Sequence, residues 1–306
     1  MVRSSIDLGT NTCLLLVADW DSPRKEVGKV VGDFSTVVRL GQGVDQAKSL
    51  HPEAIQRTLS CLETYAQKLK LLGLSPRDTR CVATSQARDA QNGVEFFLEV
   101  EKKTGFKFQI ISGADEAKFT FLGGLLPGQS PKDSAVIDIG GGSTEIIASV
   151  GGKSLDIGSV RFTERFLRSD PVTDEEFWRA QAEVDAQLLT LKSWRAELPA
   201  DTQLVAVAGT ATTLASWYLG LAQFDANALD QVTLTRGDIH RMVEELKWRT
   251  IDERKKLTGI EAGRADVLLA GSLILWRALE LLDFPRAQIS TRGLRYGVLT
   301  DEFVKS

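Results

Sequence analysis

Two segments of the chain repeat one another without a gap. IDLGTNTCLLL, residues 6–16, aligns on IDIGGGSTEII, residues 137–147. Ile, Asp and Gly are identical at the first, second and fourth positions, Leu stands against Ile at the third, and Thr stands against Ser at the seventh. Each copy runs from apolar residues through small and hydroxylated ones to apolar residues again, which predicts a strand, a tight turn and a second strand. The same strand–turn–strand unit therefore opens each half of the protein.

The turn of each copy has the composition of an anion-binding loop. Glycine lets the backbone approach a ligand closely, and successive backbone N–H groups form a concave site for an anion. A carboxylate precedes each turn, at Asp7 and Asp138. Because a carboxylate repels phosphate unless a cation lies between them, the pattern predicts phosphate together with Mg²⁺. A single copy is more simply an ordinary tight turn, and it is the second copy that favours the phosphate interpretation. The hydroxyls that would add hydrogen bonds are those of Thr10, Thr12, Ser143 and Thr144.

Composition excludes several other functions. The 306 residues carry a net charge of −4, which argues against a general nucleic-acid-binding protein. Two histidines are too few for a histidine-rich two-metal centre, so a metal would have oxygen ligands, and Mg²⁺ or Mn²⁺ is expected. The longest apolar run, VLLAGSLILW at 267–276, is too short for a membrane span. Three cysteines without a C-x-x-C pair, and a start without an apolar signal region, predict reduced thiols and a cytoplasmic location.

Predicted strands and helices alternate along the chain, which is typical of the α/β class. RCVATSQ, residues 80–86, is predicted to be a strand, and AQISTRGLRYGVLTDEF, residues 287–303, a strand, a turn and a helix. Thr173 and Glu176 form a capping box for a helix to about residue 194, and Thr235 with Asp238 caps a further helix. Helices are also predicted over 53–72, 92–104 and 263–283.

The length of the chain favours two domains rather than one. LPGQSPKD, residues 126–133, combines Pro and Gly without periodicity and predicts a boundary that separates domains 1–124 and 125–306. Two familiar nucleotide-binding motifs are absent from the glycine-rich segments. GGGSTE lacks the third glycine of the Rossmann fingerprint, and Ile147 occupies the place of the first P-loop glycine before GGKS.

The two hairpins and the later strand–glycine–helix segment AVAGTATT, residues 206–213, resemble the actin-like ATPase superfamily. A set of segments then resembles the exopolyphosphatase and guanosine pentaphosphate phosphatase family, in the family's order and over nearly the whole chain. They are ATSQARDAQN, ISGADEAKFTFLG, VIDIGGGSTEI, GSVRFTERFL, VAGTATTLA, RADVLLAGSLIL and STRGLRYGVL. The resemblance implies two actin-like (ribonuclease H-like) domains with an interdomain cleft. It also implies an enzyme that removes terminal phosphates from inorganic polyphosphate or guanosine pentaphosphate.

The resemblance assigns roles to individual residues. Glu116, after ISG-x-x, is implied to be the general base that activates water, and Arg88 in ATSQAR is the expected phosphate-binding arginine. Asp138 is the implied metal carboxylate, with Glu145 and Asp7 as further acidic candidates. The candidate phosphate-binding positions are Thr10, Asn11, Arg88, Gly140, Gly141, Gly142, Ser143, Thr144, Gly209 and Thr210.

The charged candidates have simpler alternatives. Glu116 could be a surface helix residue paired with Lys118, Arg88 could pair with Asp89, and Glu145 could face solvent from its strand. Four further arginines stand beside the family-like segments and could line a track for an anionic polymer, namely Arg39, Arg161, Arg264 and Arg295.

The leading functional hypothesis is a Mg²⁺-dependent phosphohydrolase that acts on polyphosphate ahead of guanosine pentaphosphate. A kinase-like member of the superfold and a non-catalytic nucleotide-binding or alarmone-binding module are the alternatives. The expected partners are these anions, without nucleic acid or membrane, and a homodimer would have the commonest symmetry of soluble oligomers. Tyr296 in GLRYG replaces a glutamate that is frequent in the family, which predicts altered substrate choice. The chain resembles the short, two-domain form, which predicts weaker processivity.

Overall fold

The computed structural model describes residues 1–23 and 26–300, which fall into two compact units. The first unit holds residues 1–123 and the described residues from Leu294 onward, and the second holds residues 124–293. The first unit contains strands β1 (Val2–Leu8), β2 (Thr12–Asp21), β3 (Glu26–Val37), β4 (Arg80–Ala83) and β5 (Phe108–Ile110). Its helices are α1 (Val44–Ala47), α2 (Pro52–Leu71), α3 (Ser85–Asp89), α4 (Gly93–Thr104) and α5 (Gly113–Gly124), with a 3₁₀ turn at Pro76–Asp78.

The sheet of the first unit has the strand order β3-β2-β1-β4-β5. β1 to β3 form an antiparallel meander, and β4 and β5 continue the sheet in parallel from β1. Side chains of β2 alternate between two apolar clusters, because successive strand residues point to opposite faces. Leu15 and Val17 join the main core beneath α2 and α4, whereas Leu16 and Ala18 lie in a small cluster with Tyr296.

The second unit begins after Gly123 and carries the second copy of the repeat. Its strands are β6 (Ser134–Ile139), β7 (Thr144–Ala148), β8 (Gly151–Leu155), β9 (Gln203–Val207), β10 (Thr233–Thr235) and β11 (Arg286–Ile289). Its helices are α6 (Ser159–Phe166), α7 (Asp174–Leu189), α8 (Lys192–Ala196), α9 (Ala208–Leu219), α10 (Ala226–Leu229), α11 (Arg236–Lys247), α12 (Ile251–Arg254) and α13 (Leu268–Leu281). Helix α14 (Leu294–Val298) follows β11 and belongs to the first unit.

The two units share one topology. The second sheet has the order β10-β11-β9-β6-β7-β8, so an antiparallel meander, β6 to β8, again continues in parallel through β9 and β11. β10 adds one antiparallel strand at the far edge. In both units the first two strands of the meander are the repeated segment, with the predicted turn between them. The predicted α/β class is confirmed, and the two units have the matching topology that the repeat predicts.

The end of the chain differs from the predicted division at 124/125. The observed junction lies nearby, between Gly123 and Gly124, but α14 returns to the first unit. Carbonyl groups at the end of α14 accept hydrogen bonds from arginines of the first sheet, from Arg3 Nη1 to Leu299 at 2.7 Å and from Arg80 Nη1 to Val298 at 3.0 Å. Arg295 forms a two-pronged ion pair with Asp33 on β3. The last part of the predicted final helix, residues 301–303, lies outside the described residues.

Several predicted elements are confirmed and others end elsewhere. The capping boxes of Thr173 and Thr235 are both formed, and Gly105 ends α4 with φ = 81°. The prediction for RCVATSQ is wrong in its second half, because the strand stops at Ala83 and Ser85 begins α3. Helix α7 ends at Leu189, earlier than predicted. None of the helices within the described residues is long and apolar enough to cross a membrane.

The three cysteines are free and buried in the first unit, as predicted. A hydrogen bond from Cys13 lowers the pKa of the Cys61 thiol to about 7, whereas burial raises the pKa of Cys81. Cys13 directly follows the first turn of the repeat, so this thiol pair anchors the second strand of that hairpin to α2.

Candidate active site

The first hairpin turn is held by side chains that follow β4. The Gly9 amide donates to the Thr12 carbonyl at 2.9 Å and closes the turn. Thr10 Oγ1 donates to Gln86 Oε1 at 3.0 Å and lies 3.1 Å from the Ser85 hydroxyl. The Gln86 amide in turn donates to the Leu8 carbonyl at 3.1 Å. The hydroxyl of Thr10 is thus fixed by a buried network, and its position does not depend on a bound ligand.

Asn11 carries a buried oxygen in the same turn. Its backbone carbonyl accepts hydrogen bonds from the amides of Val38 and Arg39, both at 2.9 Å, so the main chain is fixed. Its side chain is 7 % exposed, and among the described residues its Oδ1 has no hydrogen-bond partner. A buried acceptor without a donor is costly, so this atom is suited to a donor or cation supplied by a ligand.

The second hairpin turn repeats the geometry of the first. The Gly140 amide donates to the Ser143 carbonyl at 3.0 Å, as Gly9 does to Thr12. The first residues of α6 donate hydrogen bonds to the carbonyl groups of the turn. Ser159 and Val160 amides donate to the Gly140 and Gly141 carbonyls at 2.9 Å. Arg161 Nε donates to the Gly142 carbonyl at 2.7 Å, so its role is structural at this turn. With its carbonyl groups engaged from one side, the turn is suited to present amide groups to an anion.

Gly158 is the residue that lets the chain pass over this turn. A side chain there would collide with the backbone of Gly141 and Gly142. We expect Gly158→Ala to destabilise the protein by about 1–3 kcal/mol in urea unfolding, because backbone atoms must shift to make room.

Gly237→Ala is the matched control for that prediction. Gly237 lies in the first turn of α11 in the same unit, where the nearest atom to an added side chain is 3.8 Å away. The control should unfold at or above the wild-type urea concentration, since alanine favours a helix over glycine. Equal stability of Gly158→Ala and the wild type would contradict the tight contact at Gly141.

Asp138 and Glu145 lie directly opposite one another on β6 and β7. Side chains of directly opposite residues share one face of the sheet, with Cβ atoms about 4.5–5.5 Å apart. Glu145 is only 1 % exposed, so the solvent-facing alternative for this residue is wrong. Ser154, the residue opposite Glu145 on β8, donates from Oγ to Glu145 Oε1 at 2.6 Å. In the first hairpin, the residue opposite Asp7 on β2 is Leu14. This cross-strand pair therefore has one carboxylate, and the matching pair of the second hairpin has two.

The chemistry of this pair fits a hard divalent cation. Like charges on directly opposite residues destabilise a sheet, and a cation between them converts the repulsion into attraction. Over residues 1–23 and 26–300, no group of three or more His, Cys, Asp and Glu side chains is arranged to hold a metal ion. Mg²⁺ is usually bound by one or two carboxylates, substrate phosphates and waters rather than by an all-protein cage, so two carboxylates suffice.

The third predicted loop follows β9 and opens α9. Ala208 adopts φ = 66°, a strained conformation for alanine, and reverses the chain into the helix. Gly209 lies against the guanidinium group of Arg264, which would have to move to make room for a side chain. Thr210 is 7 % exposed and packs against Gly271 of α13. Arg264 also donates to Glu261 at 2.9 Å, so a fixed cation covers the positive end of α9.

Glu116 and Arg88 form an ion pair in the first unit. Arg88 Nη1 donates to Glu116 Oε2 at 3.0 Å and to the Ile111 carbonyl at 2.7 Å. Glu116 is 7 % exposed and lies in the first turn of α5, where the helix dipole favours the ionised carboxylate. The predicted base and the predicted phosphate-binding arginine are therefore neighbours, although they were derived from separate segments.

The structure thus forms local groups from the predicted residues. The first unit holds Thr10 with Asn11, and Glu116 with Arg88. The second unit holds the glycine turn with Asp138 and Glu145, and Gly209 with Thr210. Sequence reasoning missed Ser85, Gln86 and Ser154. Ser85 and Gln86 stand inside the quoted segment ATSQAR, and Ser154 stands nine residues after Glu145, a spacing that becomes informative only once the hairpin register is known.

A comparison with known protein families shows which family the chain belongs to. The model of the Ppx/GppA phosphatase family matches residues 24–306. The chain belongs to this family. Exopolyphosphatase 2 of Mycobacterium tuberculosis is 36% identical to this Ppx/GppA member over 284 residues, which cover 89% of this chain and 88% of the relative. The predicted family, an enzyme family of phosphoanhydride hydrolases, is confirmed.

Two further relatives of this Ppx/GppA member were found. The guanosine-5'-triphosphate,3'-diphosphate pyrophosphatase of Pseudoalteromonas atlantica is 30% identical, with coverage of 97% of this chain and 57% of that relative. The crystal structure of an exopolyphosphatase-like protein superposes with a TM-score of 0.89 at 29% identity, over 100% of this chain and 99% of the other.

Proposed function

We propose that this Ppx/GppA member releases terminal orthophosphate from inorganic polyphosphate, by Mg²⁺-assisted attack of a water activated by Glu116. The observation that carries the proposal is the ion pair between the buried Glu116 and the exposed Arg88, joined at 3.0 Å. In-line phosphoryl transfer uses a residue that orients and deprotonates the nucleophile, and a carboxylate can do this. It also uses cationic groups that bind phosphate oxygens, and a guanidinium group suits this role. The similarity to a named exopolyphosphatase supports polyphosphate as the substrate.

Glu116 is suited to accept the proton of the attacking water. Arg88 and the α5 N-terminus both favour its ionised form, which is the form that can accept a proton. As the water oxygen attacks the terminal phosphorus, one proton passes to Glu116 and the bond between phosphorus and the bridging oxygen breaks. The terminal group leaves as orthophosphate, and the shortened chain keeps the bridging oxygen. Arg88 then stabilises negative charge on the transferred group.

The glycine turns would bind the substrate's phosphates, and the paired carboxylates would bind the cation. In the second unit, backbone amides at Gly141, Gly142 and Ser143, with the hydroxyl group of Thr210, would be donors for phosphate oxygens. Asp138 and Glu145 would hold Mg²⁺ or Mn²⁺, and such a cation neutralises phosphate charge when bound. Asp7 has the same position in the first repeat, without the second carboxylate.

Release of free phosphate tests the proposed function. The purified protein is given long polyphosphate, short polyphosphate, guanosine pentaphosphate and ATP in parallel, with Mg²⁺ and with chelator. Mg²⁺-dependent release from polyphosphate supports the proposal. Binding without any phosphate release would favour a binding module, and transfer to an organic acceptor without release would favour a kinase-like enzyme.

Guanosine pentaphosphate is the second candidate substrate. The similarity to the guanosine-5'-triphosphate,3'-diphosphate pyrophosphatase extends over 97% of this chain and supports it. Phosphate release from guanosine pentaphosphate alone, in the same assay, would select this substrate and leave the role of Glu116 unchanged.

Arg88→Lys tests the guanidinium group without removing its charge. We expect KM for polyphosphate to rise about tenfold, because lysine loses the planar fork that bonds both a carboxylate and a phosphate. Arg77→Lys, an exposed position of the first unit, is the matched control and should keep the wild-type KM. Unchanged KM in Arg88→Lys would exclude direct phosphate recognition by the fork.

A cytoplasmic location is also proposed. Three free, buried thiols suit a reducing compartment, where disulfides do not form. Fractionation of cells that express the tagged protein tests it, and light scattering of the purified protein tests the predicted homodimer.

A further inference from the structure

One polar row crosses three neighbouring strands of the second sheet. Asp138 on β6 lies opposite Glu145 on β7, and Glu145 lies opposite Ser154 on β8. Directly opposite residues project to the same face, so the three side chains form a line. β8 is the edge strand of this sheet, and Ser154 is exposed there, whereas Glu145 is buried.

The hydrogen bond between Ser154 and Glu145 is that of a hydroxyl with a charged carboxylate. Its Oγ–Oε1 distance of 2.6 Å falls in the short range that such bonds adopt. The terminal torsion of a glutamate has a broad energy minimum, so an external contact decides how its carboxylate is turned. Ser154 supplies one such contact, from the side of Glu145 opposite to Asp138, and so helps to set how the carboxylate is presented to Asp138.

The first repeat contains the same row without its central carboxylate. Asp7 on β1 lies opposite Leu14 on β2, and Leu14 lies opposite Ser35 on β3. Ser35 therefore stands in the position of Ser154 but faces leucine, which has no group to orient. The two copies therefore differ in what the serine contacts. Ser154 hydrogen-bonds to a carboxylate, whereas Ser35 lies opposite a leucine.

We propose that Ser154 is a positioning residue, which acts through Glu145 to set the affinity of the Asp138–Glu145 pair for a divalent cation. The inference rests on the proposed function in that this pair holds the Mg²⁺ of the reaction. Partners that hydrogen-bond a metal's ligands from outside commonly change metal affinity by about 10–100-fold when they are removed. Ser154 is such an outer partner, because it hydrogen-bonds to Glu145 and would affect the cation only through that carboxylate.

The test measures binding of Mn²⁺ alone, in the absence of any phosphate substrate. Loss of the electron paramagnetic resonance signal of free Mn²⁺ gives the dissociation constant for the full-length protein. We expect Ser154→Ala to bind Mn²⁺ about tenfold more weakly than the wild type. Ser154→Thr keeps the hydroxyl and should remain within about twofold of the wild type, a rescue that a purely structural role would not produce. Ser35→Ala removes the matched hydroxyl of the first repeat and should bind as the wild type does.

Each outcome bears on the inference separately from the activity. Wild-type Mn²⁺ affinity in Ser154→Ala would overturn it, even if phosphate release were lost. An equal loss in Ser154→Thr and Ser154→Ala would also overturn it, because the hydroxyl would then be irrelevant. Absence of Mn²⁺ binding by the wild type would overturn it as well. Weakened Mn²⁺ binding in Ser154→Ala, in a protein that releases phosphate from no substrate, would uphold the inference and reject the proposed function.

Thermal unfolding of each variant in chelator separates folding from binding. Ser154→Ala removes a hydrogen bond from a buried carboxylate, so it should lower the unfolding temperature of the metal-free protein by a few degrees, and the measurement in chelator reports this loss apart from Mn²⁺ affinity. If Ser154→Ala failed to fold, the comparison of Ser154→Thr with Ser154→Val would replace it. Valine matches the shape of threonine without its hydroxyl, and equal Mn²⁺ affinities in those two variants would overturn the inference.

Discussion

Glu116→Gln is expected to lower kcat for phosphate release by about 10²–10⁴-fold, the contribution of a positioned general base. Glutamine has nearly the same shape and still accepts a hydrogen bond from Arg88, so the site around it should persist. Glutamine cannot accept a proton from water. The attacking water would therefore keep both protons as it approaches phosphorus, which makes it a weaker nucleophile. Initial rates with polyphosphate and saturating Mg²⁺ measure the effect, and KM should change little.

Asp115→Asn is the control for that substitution. Asp115 lies in the same first turn of α5, and its carboxylate accepts a hydrogen bond from Ser112 Oγ at 2.7 Å. The control removes the same unit of charge from the same helix end and should retain kcat within a few-fold. If both variants lost activity equally, the effect would come from the charge of the helix start. If Glu116→Gln kept wild-type kcat, Glu116 would not be the base.

Asp138→Asn is expected to act through the cation. Asp138 is one of the two carboxylates proposed to bind the cation. Removing it should raise the half-saturating Mg²⁺ concentration by more than the roughly 10–100-fold that is typical when a residue contacting a ligand from outside is lost. The remaining carboxylate, Glu145, would hold the cation alone, and high Mg²⁺ should restore part of the rate. Rates measured over a wide range of Mg²⁺ separate this from a loss of chemistry, which excess Mg²⁺ would not repair.

Asp7→Asn is the matched comparison for Asp138→Asn. Asp7 occupies the same position of the first repeat, but Leu14 lies opposite to it. Because its neighbour on β2 is leucine rather than a carboxylate, Asp7→Asn should shift the Mg²⁺ dependence less than Asp138→Asn does. An unchanged Mg²⁺ response in Asp138→Asn, or a larger shift in Asp7→Asn, would contradict the assignment of the cation to the second repeat.

The parts of the fold that depend on local chemistry were predictable. Thr173 and Thr235 cap their helices because a capping box is complete within four residues. The repeat predicted two matching hairpins, and the turns of Gly9 and Gly140 are closed by the same hydrogen bond. The strand assigned to RCVATSQ ended early, because β-branched and small residues are compatible with both a strand and the short helix that follows it.

The parts of the site that depend on partners distant in sequence were not predictable from the residues alone. Glu116 and Arg88 are 28 positions apart, and their pairing requires β4 and β5 to be adjacent in the sheet. Glu145 was predicted as a candidate metal ligand with a solvent-facing position as the alternative, since a strand sequence does not reveal which face a neighbouring strand or helix covers. Tyr296 was expected to alter substrate choice. It lies in an apolar cluster with Leu16, and its effect on substrate stays a prediction.

The return of α14 to the first unit has a consequence for biosynthesis. Gly297 lies directly against the carbonyl of Phe119 on α5, and Leu294 and Val298 share an apolar cluster with that phenylalanine. The helix that carries Glu116 is therefore packed against residues that are synthesised long after it. The first unit cannot complete this packing before the segment from Leu294 onward has been made, even though its sheet and its glycine turn are synthesised early. A nascent or truncated chain that stops before residue 294 would thus carry all the predicted site residues, with Glu116 on a helix that lacks this support.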